Sequence, residues 1–328
     1  MYIVTGGAGF IGSAMVWKLN RMGVDDIWIV DTLRKGEKWK NIQGLVFNEM
    51  LTPERFLESL DRDGFPEGAE ALVHLGACSS TIETDADYLL ANNFLYSRKL
   101  AETALAAGVR AIVASSAAVY GGGEFGYDDD PKNLFRLRPL NMYGHSKLMF
   151  DRWADRSGAS SRLASLRFFN VYGPNEYHKK DMASMIFRSY GRVAAGGTMT
   201  LFRSHRPDYA DGEQKRDFVY VKDVVDVMWW LLDTPGANGI FNVGSGREET
   251  WNRLAEALFA TVGRQPDIRY ADMPPNIRDK YQYQTLAEIG RLRSAGYRKA
   301  FRPLADGVRD YVERHLSRTN PYIGNADA

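Results

Sequence analysis

The sequence predicts an α/β fold in which a doubly wound parallel sheet carries a smaller, mostly C-terminal substrate-binding domain. Three observations lead to this fold class. Short β-rich runs alternate with helix-length segments in the first half of the chain, a glycine-rich turn directly follows the first run, and an aspartate ends the second. Strands separated by helices favour βαβ units and parallel pairing. We therefore expect a sheet of the Rossmann type.

The predicted elements follow one another regularly up to residue 173. Apolar residues at helical spacing predict a first helix that ends at Gly23. Thr52 and Pro53 predict the N-cap and first turn of a second helix, and a third is expected over about 86–107. A later strand and helix over 218–236 should pack back on the sheet. The strand-like runs lie at 2–7, 26–31, 71–77, 110–121 and 162–173.

Composition narrows the possible functions of the 328-residue chain. Its 42 basic and 41 acidic side chains give a net charge of +1, which argues against a broad nucleic-acid surface. The single cysteine, Cys78, excludes an intrachain disulfide and a thiolate cluster. The scattered histidines give no metal-ligand spacing. No apolar run reaches the ~18 residues of a membrane span, and the first residues lack signal-peptide features, so we expect a cytoplasmic location.

The glycine-rich turn is the clearest binding motif. Gly6-Gly-Ala-Gly9-Phe-Ile-Gly12 follows a strand and opens a helix, so backbone N–H groups at the helix N-terminus can approach a pyrophosphate. Asp31 ends the next strand, 19 residues after Gly12, where a carboxylate can bind the adenosine ribose. We predict a dinucleotide-binding domain from 1–169 plus about 217–242, and a substrate-binding domain from about 170–216 plus 243–328.

A second motif points to hydride-transfer chemistry. Tyr143 and Lys147 in "YGHSK" are four residues apart and share one helix face. This spacing alone means little, but the pair follows the "SSAAVYG" strand, from which Ser116 could reach the tyrosine. We predict Tyr143 as the base, Lys147 as the cation that lowers the phenol pKa and binds the ribose, and Ser116 as the group that positions the substrate oxygen.

Together, the glycine motif, "SSAAVYG" and "YGHSK" resemble those of the extended short-chain dehydrogenases/reductases, the NAD-dependent epimerase/dehydratase family. More specific stretches resemble its ADP-heptose 6-epimerase branch, which serves lipopolysaccharide core assembly. The resemblance runs from Met1 to about Val312. The specific stretches are "ACSST" (77–81), "NN" (92–93), "RFFNVYGPNEYHKKDMAS" (167–184), "RDFVYVKDV" (216–224) and "DKYQY" (279–283).

The resemblance gives the charged run "HKKD" (178–181) a role. By itself such a run is typical of a solvated surface loop. The family oxidises C6″ of the sugar transiently and reduces it on the other face, so the cofactor ends unchanged and two bases are needed. The resemblance implies Lys179 as the second base, with Lys180 as the alternative. To act as a base its ammonium must lose a proton, which burial would promote.

The resemblance also implies the residues that bind cofactor and substrate. Arg216 is expected to bind the diphosphate, unless it only forms a surface ion pair with Asp217. Asp181 and Arg188 depart from the family, which usually has a small polar residue and a histidine there. The implied cofactor residues are Gly6, Gly9, Phe10, Ile11, Gly12, Asp31, Thr32, Lys38, Leu75, Gly76, Ala77, Cys78, Ser79, Asn92, Lys147 and Val171. The implied substrate residues are Ser116, Asn170, Asp181, Arg188, Leu201, Phe202, Arg203, Ser204, Arg216 and Tyr281.

The residues after the second strand bear on the choice between NAD and NADP. The Asp31 carboxylate favours NAD, because it would repel a 2′-phosphate. Arg34, Lys35 and Lys38 follow closely and could neutralise that phosphate. The family tends to use NADP, so we expect NADP, with NAD possible and no metal. The family also forms homo-oligomers, commonly pentamers.

Three other functions remain open from the sequence. The nearest is another nucleotide-sugar enzyme, a 4-epimerase or a 4,6-dehydratase. Ala117-Ala118 stands where the dehydratases carry an acid pair, which counts against that activity. The second is a net dehydrogenase, which would not need Lys179. A non-catalytic dinucleotide sensor is the third, but it would have no use for Ser116, Tyr143 and Lys147 together.

Overall fold

The computed structural model describes residues 1–278 and 281–324. Asp279 and Lys280 of the "DKYQY" stretch therefore lie outside the described residues. The strands are β1 (Tyr2–Thr5), β2 (Ile27–Val30), β3 (Glu49–Leu51), β4 (Ala71–His74), β5 (Arg110–Ser116), β6 (Leu163–Phe168), β7 (Asn170–Tyr172), β8 (Met199–Phe202), β9 (Lys215–Arg216), β10 (Phe218–Tyr220), β11 (Gly239–Val243), β12 (Glu249–Thr250) and β13 (Ile268–Ala271).

Eleven α-helices are found in the described residues. They are α1 (Phe10–Arg21), α2 (Pro53–Asp63), α3 (Ala86–Leu89), α4 (Tyr96–Ala106), α5 (Met142–Arg156), α6 (Met185–Ala194), α7 (Val221–Asp233), α8 (Trp251–Thr261), α9 (Pro275–Arg278), α10 (Gly290–Ser294) and α11 (Leu304–Tyr311). A π-helical turn over 90–95 joins α3 to α4, so the helix expected over 86–107 is confirmed. None of these described helices is long and apolar enough to cross a membrane.

The central sheet has seven strands in the order β11-β6-β5-β4-β1-β2-β3. Every neighbouring pair is parallel, which confirms the predicted fold class. The order reverses between β1 and β4, and in doubly wound sheets ligands bind beyond the carboxyl ends of the strands at that switch point. The glycine turn after β1 and the 75–79 segment after β4 therefore meet at the place where a cofactor should bind.

Local signals account for the second helix and for the late strand–helix unit. The Thr52 hydroxyl accepts a hydrogen bond from the Arg55 amide, and Pro53 occupies the first helical position, as predicted. The segment 218–236 forms β10 and α7, and α7 packs against α1. The division into two domains stays a prediction.

The run 162–173 differs from its prediction, because it is two strands and not one. Only β6 joins the central sheet, whereas β7 leaves it and pairs in parallel with β10. Phe169 separates them, and its amide donates to the Val243 carbonyl at 3.1 Å. The break carries the chain out of the sheet, so that the loop after β7 lies against the start of α1.

Candidate active site

The glycine turn forms a tight cradle between β1 and α1. Gly6 has φ +68°, a conformation that L side chains rarely adopt, and a Cβ there would lie 2.7 Å from the Gly76 amide nitrogen. A Cβ at Gly12 would collide with the Gly6 carbonyl oxygen. The N-terminus of α1 can therefore approach a bound anion through its backbone alone. These residues fit the pyrophosphate of a dinucleotide.

Asp31, which follows β2, hydrogen-bonds to the glycine turn through its side chain. One of its carboxylate oxygens accepts a hydrogen bond from the Ala8 amide at 2.9 Å. The other accepts from the Thr32 amide at 2.7 Å and from Lys38 Nζ at 2.5 Å. The carboxylate thus holds the glycine turn in shape, and its negative charge is paired with Lys38. Arg34 and Lys35 lie on the exposed stretch between them.

Ser116 and Tyr143 lie where β5 ends and α5 begins. Ser116 is the last residue of β5, and Tyr143 lies in the first turn of α5, which Asn141 caps through the Gly144 amide at 2.8 Å. The pKa of Tyr143 is raised by burial, and a hydrogen bond with the nearby Ser116 hydroxyl offsets only part of that rise. The Ser116 hydroxyl therefore lies near the Tyr143 phenol, and the roles of the two groups stay predictions.

Lys147 lies one helical turn beyond Tyr143 and is almost fully buried. Its Nζ donates to the Ala114 carbonyl at 2.9 Å, and burial lowers its pKa to about 8, although Asp151 opposes this effect. The sequence led us to expect that the Lys147 ammonium lowers the pKa of the Tyr143 phenol. Lys147 Nζ is held by the Ala114 carbonyl, and its effect on the Tyr143 phenol stays a prediction.

The helix face that carries Tyr143 and Lys147 continues to Asp151, which sequence reasoning missed. Its buried carboxylate accepts from Ser165 Oγ at 2.7 Å, Ser115 Oγ at 3.1 Å and Arg167 Nε at 2.9 Å. These bonds fix α5 against β5 and β6. The spacing of four residues from Lys147 was a signal that could have identified it.

Asn93 is a second missed residue, next to the predicted Asn92. Its side-chain amide bonds both the N–H and the C=O of Cys78, each at 2.9 Å, and donates to Ser146 Oγ at 3.0 Å. The Asn92 side chain donates to Asn93 Oδ1 at 3.0 Å. Asn93 thereby joins the 75–79 segment to α5.

Residues 173–184, which we call the Lys179 loop, bring a lysine to the glycine turn. Lys179 Nζ lies 5.4 Å from the centre of the Phe10 ring, at the start of α1. Burial lowers the pKa of Lys179, and the charge of Glu176 opposes that shift. Lys180 is exposed and has φ +50°. Of the two lysines, Lys179 is the less exposed and has its ammonium over the start of α1, so it is the better placed for the predicted second base.

The Glu176 side chain links the two ends of the Lys179 loop by hydrogen bonds. Its carboxylate accepts from the Ser184 amide and hydroxyl, each at 2.6 Å, and from the Gly173 amide at 3.3 Å. Ser184 is also the N-cap of α6. The loop is therefore a built part of the fold and not the freely solvated run that "HKKD" alone suggests.

Arg216 lies in an aromatic pocket formed by residues far apart in the sequence. Its guanidinium stands 4.9 Å from the Tyr281 ring centre and 5.8 Å from that of Trp251. Asp217 does not pair with it, because that carboxylate accepts from the amides of Ser245 and Ala287 at 2.6 and 3.0 Å. The surface ion pair considered as an alternative is thus absent, and the guanidinium remains able to bind an anion.

The other predicted substrate residues fall into three groups. Phe202, at the end of β8, contacts Tyr281 edge to face at 6.5 Å and therefore joins the aromatic pocket. Asp181 and Arg188 are exposed and lie 4.0 Å apart. The third group comprises Asn170 in β7, Leu201 in β8, and Arg203 and Ser204 after β8. Val171, a predicted cofactor residue, also lies in β7.

Comparison with known proteins agrees with this site. A sequence model described as the NAD dependent epimerase/dehydratase family matches residues 2–244. The chain belongs to this family, and its cofactor is a nicotinamide dinucleotide. Among the described residues, no group of three or more His, Cys, Asp or Glu side chains could hold a metal ion.

Several relatives share the full length of the chain. A protein of Nitratidesulfovibrio vulgaris named ADP-L-glycero-D-manno-heptose-6-epimerase is 54% identical over 323 residues, which cover 98% of this chain and all of that one. The crystal structure of the Helicobacter pylori enzyme of the same name has a TM-score of 0.78 at 26% identity, covering 95% of this chain and 94% of that one. A Thermus thermophilus UDP-glucose 4-epimerase in complex with NAD has a TM-score of 0.74 at 26% identity, covering 95% and 97%.

Proposed function

We propose that this enzyme inverts C6″ of ADP-D-glycero-D-manno-heptose to give ADP-L-glycero-D-manno-heptose for lipopolysaccharide core assembly. The relatives that share its full length at 40–54% identity carry this activity in their names. The observation that carries the mechanism is a pair of ionisable groups from different elements. Tyr143 lies beside Ser116, and Lys179 lies over Phe10. Inversion needs two such groups, because the hydroxyl points in opposite directions in the two epimers.

The two groups divide the proton transfers between them. The nicotinamide, when bound, supplies the hydride acceptor and donor at C6″. One of Tyr143 and Lys179 takes the hydroxyl proton as C6″ becomes a carbonyl, and the other returns a proton to the oxygen when the opposite face is reduced. Ser116 holds the oxygen, Arg216 binds the diphosphate, and Asp31 with the glycine turn holds the dinucleotide.

The experiment that tests this function uses the purified protein without added cofactor. We expect ADP-D-glycero-D-manno-heptose to approach an equilibrium mixture of C6″ epimers by NMR, with no net absorbance growth at 340 nm, because the cofactor returns to its starting state. Net growth at 340 nm would indicate a dehydrogenase instead. No epimer formation, even with added NADP or NAD, would overturn the heptose assignment.

We further propose NADP as the cofactor, because Lys38 offsets the charge of Asp31. Its Nζ lies between the carboxylate and the Thr32 carbonyl, at 2.5 and 3.1 Å. An ammonium in this position can bind a 2′-phosphate next to an acid that would otherwise repel it. The predicted homo-oligomeric state and cytoplasmic location remain predictions.

Replacing Lys38 with alanine should weaken NADP binding about tenfold and NAD binding less than about threefold. A hydrogen bond to a charged group contributes about 1.5 kcal/mol, which corresponds to roughly that factor. Titration calorimetry of cofactor-free protein measures both affinities. Lys40→Ala is the matched control, since Lys40 lies on the same turn and pairs with Glu37. Equal losses for both cofactors would contradict the NADP assignment.

A further inference from the structure

Asn175 holds an unusual place in the Lys179 loop, four residues before the lysine. It is fully buried and has φ +75°, a left-handed conformation that asparagine tolerates better than most residues. Its Nδ2 donates to Ser13 Oγ on α1 at 2.9 Å and lies 3.4 Å from the Asn41 carbonyl. The side chain therefore ties the loop to the first helix of the dinucleotide-binding sheet.

Asn41 extends this tie to the glycine turn. Its buried side-chain amide nitrogen lies 3.0 Å from the Ala8 carbonyl and 3.1 Å from the Asn175 carbonyl. The same nitrogen is 3.2 Å from His178 Nδ1, next to Lys179. The two asparagines thus connect the backbone of the Lys179 loop with the backbone that cradles the pyrophosphate.

The 321–324 segment, near the C-terminus, completes the arrangement. The Ile323 amide donates to Asn175 Oδ1 at 2.9 Å. Tyr177 OH donates to the Pro321 carbonyl at 2.8 Å, and the Tyr322 ring packs edge-on against the Tyr177 ring at 5.1 Å. The three contacts of the Asn175 side chain are therefore directed at different parts of the fold.

The position of the Lys179 amine depends on the backbone of the loop, so contacts that fix this backbone also fix the amine. Its amide donates to the Glu176 carbonyl at 2.9 Å, and its ammonium lies over the Phe10 ring. Four methylene groups give the side chain considerable freedom, so a shift of the loop moves the amine. A misplacement of about 1 Å in a catalytic group can cost about 100-fold in rate.

We propose that Asn175 is a positioning residue for Lys179, and that the 321–324 segment helps Asn175 to fix the Lys179 loop. Asn175 touches neither substrate nor cofactor in this scheme, and it acts by fixing the Lys179 loop against the glycine turn. The proposal rests on the function proposed above, in which Tyr143 serves one epimer and Lys179 the other. Loss of Asn175 should therefore impair one of the two hydride transfers selectively.

The test is Asn175→Gly, because glycine keeps the positive φ and removes only the side-chain bonds. The holoenzyme is mixed rapidly with each pure epimer, and the first turnover is followed at 340 nm. Tyr143→Phe and Lys179→Met are the references that identify which epimer each group serves. We expect Asn175→Gly to slow the transfer served by Lys179 about 10- to 100-fold, while the other transfer changes less than about threefold.

A pair of truncations provides a second variant if Asn175→Gly does not fold. Removal of 321–328 deletes the bonds from Pro321 and Ile323, whereas removal of 325–328 leaves them intact. We expect the longer truncation to reproduce the asymmetry of Asn175→Gly and the shorter one to behave like the unaltered protein.

Two outcomes would count against the proposal. Equal slowing of both epimers, or no slowing, would overturn it if Lys179→Met is itself asymmetric. A symmetric Lys179→Met would overturn the two-base scheme instead, and the proposal with it. Melting temperature and cofactor content of each variant show whether a loss reflects unfolding.

Discussion

Replacement of Tyr143 with phenylalanine is expected to slow epimerisation by a factor of about 10² to 10⁴, the usual contribution of a positioned acid–base group. The change removes only the phenolic oxygen that lies near Ser116 at the start of α5. Ring packing is preserved, so the fold and the glycine turn should be unaffected. The rate of C6″ epimer interconversion, followed by NMR, measures the loss.

Tyr88→Phe is the matched control for this change. Tyr88 lies on α3 with its ring partly exposed, and we expect its replacement to leave the rate unchanged within about twofold, as surface substitutions usually do. If Tyr143→Phe retained more than about a tenth of the rate, Tyr143 could not be one of the two acid–base groups.

Lys179→Met is expected to have an effect of similar size, about 10² to 10⁴. Methionine keeps the length of the side chain over the Phe10 ring and removes the amine. Burial lowers the pKa of Lys179, so the neutral amine is available at a lower pH than for an exposed lysine. As pH falls through that pKa the base becomes protonated, and the transfer it serves must slow.

The pH dependence separates this role from a structural one. In the unaltered protein the transfer served by Lys179 should show an acidic limb, and in Lys179→Met that limb should disappear from the residual rate. Lys180→Met is the matched control, because Lys180 is adjacent and exposed. A larger loss in Lys180→Met than in Lys179→Met would move the second base to the neighbouring lysine.

The parallel, doubly wound class of the central sheet was predictable because its signals are local. The glycine turn, the aspartate after β2, and the Thr52-Pro53 helix start each act within a few residues. The break at Phe169 was not predictable, because "LASLRFFNVYG" has the composition of a single strand, with no glycine or proline before Gly173. Where such a run leaves a sheet depends on its partners, and here the partner of β7 is β10, which lies far along the chain.

The site was only partly predictable for a similar reason. Tyr143 and Lys147 share a short helical spacing, so sequence alone placed them together. Lys179 came from the family resemblance, because a charged run gives no sign of burial. Asn93 and Asn175 lie in stretches that carry the resemblance, but neither route gave them a role, since the role of a side-chain amide depends on partners 15 to 162 residues away.

The contact between Ile323 and Asn175 has a consequence for synthesis of the protein. A ribosome releases the chain from its N-terminus onward, so the central sheet and the Lys179 loop emerge long before residue 323. Until then, Asn175 Oδ1 lacks the amide that it accepts from in the finished fold. The hydrogen bonds that fix the Lys179 loop can therefore be completed only after residue 323 has emerged from the ribosome.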